Sequence, residues 1–213
     1  MRFVLASTSP ARLTLLMSAG LSPDTMAPGV DEDALVAAIE AERGVVMEAA
    51  DLVQTLARAK AEAVVNELAA SATEATLVFG GDSAFEIAGA IHGKPHTPER
   101  ARERWLAQNG RTGTLWSGHW VVLIEPGAEP RGVGRVAAAK VSFARLSESE
   151  IDAYIATGEP LAVAGAFTID SLGGPFISHV EGDPSTVVGL SLSTLRELVR
   201  ELGVEWTALW ESR

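Results

Sequence analysis

The chain has 213 residues, 47% of them hydrophobic, enough to bury a sizeable core as a single folding unit. It contains no cysteine, which excludes a disulfide framework and a zinc–thiolate site. A formal net charge of −11 argues against nucleic acid or an anionic membrane as partner, yet a few local cations would still suffice for a small anionic ligand.

The opening MRFVLASTSP carries an apolar stretch, Phe3 to Ala6, far too short for a signal-peptide core or a membrane span, so a soluble, cytoplasmic protein is expected. Residues 2–6 read as a short buried strand. Ser9 can cap a following helix and Pro10 suits its first position, with Leu13, Leu16 and Met17 on one face and Gly20 at its end. Asp31 to Glu42 reads as a second helix, broken near Gly44. From Asp51 to Leu68 the helical pattern is strong: Val53, Ala57 and Val64 share a stripe with Leu56 beside it, and Lys60 falls inside that stripe.

Thr76 to Phe79 is expected as an apolar strand that runs out at Gly80-Gly81-Asp82, followed by a hairpin from Phe85 to Ile91 that Gly93-Lys94-Pro95 closes. Thr97-Pro98 starts a helix running through Leu106, which Gly110 ends. Thr114 to Ile124 and Gly134 to Phe143 read as two long antiparallel strands. Ser147 and Glu150 form a capping-box pattern ahead of Ile151, Tyr154 and Ile155. A Gly-rich run from Gly158 to Gly174 leads to Phe176–Val180 and then to a final helix from about Ser191 to Leu202. Helices alternating with strands around a hairpin-rich middle predict a mixed α/β sheet.

A strand ending in Ser7-Thr8-Ser9 and feeding a helix N-terminus is suited to an anion, with Arg12 as a further donor; an ordinary capped helix is the competing reading. Lys60 is more unusual, because an ammonium in an apolar stripe must snorkel out or find an anion. Asp82, after an apolar strand and two glycines, falls at a sheet edge where ligands of α/β proteins bind, although an Asx-turn accounts for it equally. Asp31, Glu32 and Asp33 suit the negative start of a helix, and one of them could join Asp82 on a divalent cation. His92, His96, His119 and His179 show no metal-ligand spacing and read as structural or exposed. Neither a P-loop nor a dinucleotide-binding fingerprint is present, and Ser7 lacks a His–Asp arrangement.

The order of these signals resembles the Maf-like nucleoside triphosphate pyrophosphatases, relatives in fold of the inosine triphosphate pyrophosphatases. The resemblance rests on Leu5-Ala6-Ser7-Thr8-Ser9-Pro10 with Arg12, Val30-Asp31-Glu32, and Leu56-Ala57-Arg58-Ala59-Lys60-Ala61. It continues through Gly81-Asp82, Gly93-Lys94-Pro95, Gly158-Glu159-Pro160, Ala164-Gly165-Ala166-Phe167, Glu181-Gly182-Asp183 and Val188-Gly189-Leu190. It implies one domain over residues 1–213: an elongated mixed sheet with helices forming two lobes around a nucleotide cleft, often dimeric. It also implies a metal-dependent hydrolysis of nucleoside triphosphates to monophosphate and pyrophosphate. Asp82 would be the general base, and Ser7, Arg12, Lys60 and Lys94 would hold phosphates. Glu32 and Asp82 would hold a divalent cation such as magnesium, manganese or cobalt.

Two departures bear on the substrate. Members acting on dTTP and UTP usually carry two consecutive arginines where this chain has Ala11-Arg12, and Gln where it has Asp170. An acceptor-only carboxylate at Asp170 must meet the base differently. Members preferring 7-methyl-GTP also lack the first arginine. A nucleotide-binding regulator of septum formation with little catalysis is the competing reading of the same pattern.

Overall fold

The computed structural model describes residues 1–210, and its spine is a mixed seven-stranded sheet. Strands β1 (Arg2–Ala6), β2 (Asp24–Met26), β3 (Thr76–Ile87), β4 (Ala90–His92), β5 (Thr112–Ile124), β6 (Arg131–Phe143) and β7 (Ile177–Glu181) are arranged in the order β2-β1-β3-β5-β6-β7, with β4 also on β3. β1 runs parallel to β2 and to β3, and every other pairing is antiparallel. Among the described residues there are seven α-helices: α1 (Pro10–Ser18), α2 (Glu32–Arg43), α3 (Ala49–Leu68), α4 (Pro98–Gln108), α5 (Glu148–Ala156), α6 (Pro184–Val188) and α7 (Leu192–Glu201). Among the described residues no helix is long and apolar enough to cross a membrane.

The expected helix signals operate as capping chemistry. Ser9 accepts from the Arg12 N–H ahead of α1, Asp31 from Ala34 ahead of α2, and Ser191 from Thr194 ahead of α7. The Ser147–Glu150 capping box forms in both directions. Gly44 ends α2 in the left-handed region at φ 69°.

Side-chain alternation along the central strands divides the core by face. Val4, Ala6, Val78, Val122 and Ile124 pack with Ala61 and Val64 of α3. Phe3, Leu5, Leu77, Phe79, Val121 and Leu123 point the other way, against Leu16 of α1 and Leu195 and Leu198 of α7. At the far end of the sheet, Phe85, Leu115, Val141 and Phe143 pack with Trp105 of α4 and Ile151 and Tyr154 of α5. The rings of Trp105, Tyr154, Phe143 and Phe167 meet edge-on there, with centroids 5.0–5.5 Å apart. Helices packed on one mixed sheet give an α/β architecture.

One expectation needs correction. The strand that was to run out at Gly80-Gly81-Asp82 does not stop: β3 continues to Ile87, so Asp82 lies in mid-strand. Backbone pairing with β5 is unbroken across it, Gly80 to Trp120, Gly81 to His119, Asp82 to Gly118 and Ser83 to Ser117. The glycines also have a packing role that their sequence did not disclose. A Cβ on Gly80 would stand 2.3 Å from the Ala57 carbonyl oxygen, and one on Gly118 would stand 2.1 Å from that of Val53. Their bareness lets the α3 backbone lie directly on the sheet.

Candidate active site

The other edge of β3 is interrupted beside mid-strand Asp82. That edge pairs with β1 from Thr76 to Gly80 and with β4 from Phe85 to Ile87, and between them residues 81–84 have no strand partner on that side. β1 ends at Ala6, opposite Gly80, and the chain turns away through Ser7 into α1. The interruption is a fork in the sheet, akin to the switch points at which open α/β sheets take ligands.

Strand alternation sends Asp82 to the α3 face, where Lys60 waits. Lys60 is 8% exposed, and its Nζ lies 2.6 Å from Asp82 Oδ1 and 2.8 Å from Glu32 Oε1. The anion that its place in an apolar stripe demanded is therefore a pair of carboxylates, one nearly enclosed at 15% exposure and one on the rim at 47%. Burial pushes the Asp82 carboxyl above its usual pKa range, against the opposing pull of Lys60 and Arg12.

The opposite face of β3 receives Arg12, which is buried. Its Nε donates to the Gly189 carbonyl at 2.8 Å, Nη2 to Ser83 Oγ at 3.0 Å and Nη1 to Ser7 Oγ at 3.4 Å. Gly81 leaves room for it, since a Cβ there would come within 3.3 Å of Nε. Burial lowers the guanidinium pKa while Asp82 and Glu32 raise it, which sets both carboxylates within its field.

Ser7, Arg12, Glu32, Lys60 and Asp82 thus come together at the fork. Lys94, after β4, and Asp170, in the loop before β7, do not join them: both are exposed and make no ion pair among the described residues. Asp170 rides on a loop fastened by Glu159, whose carboxylate accepts from Tyr154, Thr168 and Ser171 hydroxyls and from the Leu172 and Gly173 N–H groups. Burial alone would raise the Glu159 pKa, but these bonds hold it down to about 2. The reading of His119 as structural stands. It is fully buried, its Nε2 accepts from the Ser191 N–H at 2.9 Å, and its pKa is lowered to about 4, chiefly by burial.

Sequence reasoning missed Ser83, Ser117 and the short helix α6. The alternation that places Asp82 on one face places Ser83 on the other, beside Arg12, so strand period was the available signal. It stayed hidden because the strand was expected to stop there.

A sequence model of the Maf-like proteins matches residues 2–202. The chain belongs to the Maf-like family. A nucleoside triphosphate pyrophosphatase of Leifsonia xyli subsp. xyli is 65% identical over 210 residues, covering 99% of this chain and 97% of that protein. A protein of the same description from Salinispora tropica is 49% identical over 210 residues, covering 99% and 88%. Among solved structures, the Staphylococcus aureus Ham1 protein aligns at 12% identity with a TM-score of 0.31, over 67% of this chain and 72% of that one. In this Maf-like chain the motif residues that converge are those of the Ser7–Arg12 segment, Glu32, Lys60 and Asp82.

Proposed function

We propose that this Maf-like protein hydrolyses nucleoside triphosphates to nucleoside monophosphate and pyrophosphate, with Asp82 as general base. The observation that carries the reading is the Glu32–Lys60–Asp82 cluster at the fork in the sheet, backed by buried Arg12, in a chain whose relatives are named nucleoside triphosphate pyrophosphatases. Phosphoryl-type transfer asks mainly for positioning and charge stabilisation, and Ser7, Arg12, Lys60 and Lys94 supply donors for a phosphate chain. Asp82 takes the proton of the attacking water, which its raised pKa suits better than that of an exposed aspartate. Asp170 meets the base as an acceptor.

The donor set also fits a divalent cation. Two carboxylates converge on one cationic point, now the Lys60 ammonium, while no group of three or more His, Asp or Glu residues is gathered among the described residues. Magnesium-like ions are held by one or two carboxylates and complete their shell with water and substrate phosphate oxygens. Glu32 and Asp82 would hold the ion, and its chemistry would be to neutralise charge on the phosphates.

The test is product analysis over ordinary and modified nucleoside triphosphates with magnesium, manganese or cobalt. Pyrophosphate should appear with monophosphate, stop on chelation, and fall about 10²–10⁴-fold in rate for Asp82→Asn, the usual worth of a general base. Orthophosphate with diphosphate, or an Asp82→Asn variant near the wild-type rate, would overturn the assignment. Nucleotide binding without turnover under all metals would favour the regulatory reading.

A further inference from the structure

Ser83 lies on β3 next to Asp82 and faces the opposite way, into a closed chain of hydroxyls. Its Oγ is 3.0 Å from Ser117 Oγ, 3.3 Å from the Gly189 carbonyl and 3.0 Å from Arg12 Nη2, while Ser117 Oγ lies 3.2 Å from the Thr186 carbonyl. Each hydroxyl has one proton to give. The Thr186 and Gly189 carbonyls can only accept. One proton passes between the two serines and the other goes to a carbonyl, Thr186 O if Ser83 is the inner donor and Gly189 O if Ser117 is. Either way, a Ser83 lone pair faces Nη2.

The guanidinium is thereby held along one edge, Nε on Gly189 and Nη2 on Ser83, with Nη1 on Ser7. Of its five N–H groups, one on each Nη atom makes no hydrogen bond among the described residues. These N–H groups remain to donate to phosphate oxygens, the chemistry for which a guanidinium is suited. The carbonyls behind it come from α6 and its C-terminal turn, where Gly189 has φ 116° and so little bulk that its missing Cβ would meet Ser83 Oγ at 3.3 Å.

We propose that Ser83, steered by Ser117 and α6, is a positioning residue that aims the remaining N–H groups of Arg12 at the phosphate chain; this rests on the reading of Arg12 as a phosphate contact. A double-mutant cycle with inorganic tripolyphosphate, a phosphate chain without a base, tests it by calorimetry. Ser83→Ala should weaken binding about tenfold, in keeping with a hydrogen bond to a charged group, and Ser83→Thr should stay within about threefold of wild type. In an Arg12→Ala background Ser83→Ala should change binding less than about twofold, because its effect passes through the missing guanidinium.

An equal loss in both backgrounds, no loss from Ser83→Ala alone, or no tripolyphosphate binding by the wild type overturns the proposal. If Ser83→Ala does not fold, Ser83→Cys, with a far weaker acceptor, replaces it in the same cycle. A wild type that shows the cycle yet releases no pyrophosphate from nucleotides would retire the hydrolase reading and leave the positioning role standing.

Discussion

Asp82 and Lys60 illustrate how two opposing effects set one group. Burial raises the Asp82 pKa, and the ammonium 2.6 Å away lowers it, with burial the larger. A general base works deprotonated, so activity should fall as pH drops through this raised value, at a pH above the range of an exposed aspartate near 3.9. Removing the ammonium in Lys60→Gln leaves burial less opposed, and the acidic limb of kcat/KM should move to still higher pH. Profiles of the two proteins check this, and a limb that stays put would mean that Lys60 does not act on Asp82 in the working enzyme.

Among the elements, α3 and the sheet depend on the absence of side chains. An alanine at Gly118 must push the α3 backbone off β5, because its Cβ would sit 2.1 Å from the Val53 oxygen and 2.7 Å from the Gln54 nitrogen. Overpacking of this kind costs about 1–3 kcal/mol and sometimes more. Gly118→Ala should therefore lower the unfolding free energy in urea by about 3 kcal/mol, whereas Gly93→Ala, with open space around its Cβ position, should change it by less than about 0.5 kcal/mol. Equal effects would remove the close-approach argument.

Most helices were legible because their signals are local: Ser9-Pro10, Asp31, Thr97-Pro98, Ser147 with Glu150, and Ser191 all cap where capping chemistry places them. The course of β3 was not, since Gly80 and Gly81 look like a strand end unless the helix lying on them is known. Lys60 announced its need for an anion through helical period. Its two carboxylates could be paired with it from sequence only through the family pattern, because they come from α2 and β3, separated by 50 residues of numbering in the case of Glu32 and Asp82. Ser83 and Ser117 stayed hidden for the same reason, being ordinary strand residues until β3 and β5 are placed in register.

At the scale of the whole molecule, His119 joins three elements: it sits in β5, accepts from Ser191 at the start of α7, and leaves Nδ1–H to donate to the Arg135 carbonyl of β6 at 3.3 Å. The native state holds it neutral, with a pKa of about 4 against 6.5 when unfolded. Between these values the unfolded chain binds more protons, so stability should fall as pH drops from about 6.5 toward 4, by about 3 kcal/mol over the full window. The raised pKa of Asp82 acts with the opposite sign. Urea unfolding from pH 7 to 4.5 should show the loss, and His119→Gln, which keeps a donor and an acceptor, should flatten it. An unchanged slope in that variant would place the sensitivity elsewhere.

The fork beside Asp82 has a mechanical consequence as well. β3 and β5 run past the fork without interruption, and β6 pairs with β5 along nearly its whole length. Opening by a loop hinge, in which a few terminal residues absorb the rotation, is denied to the two halves at this crossing. Any rearrangement around the fork must therefore be carried by the coiling of the shared ribbon, with bare Gly81 beside the fork and bare Gly118 on the neighbouring strand. The surroundings of Asp82 and the twist of the sheet are thereby tied together.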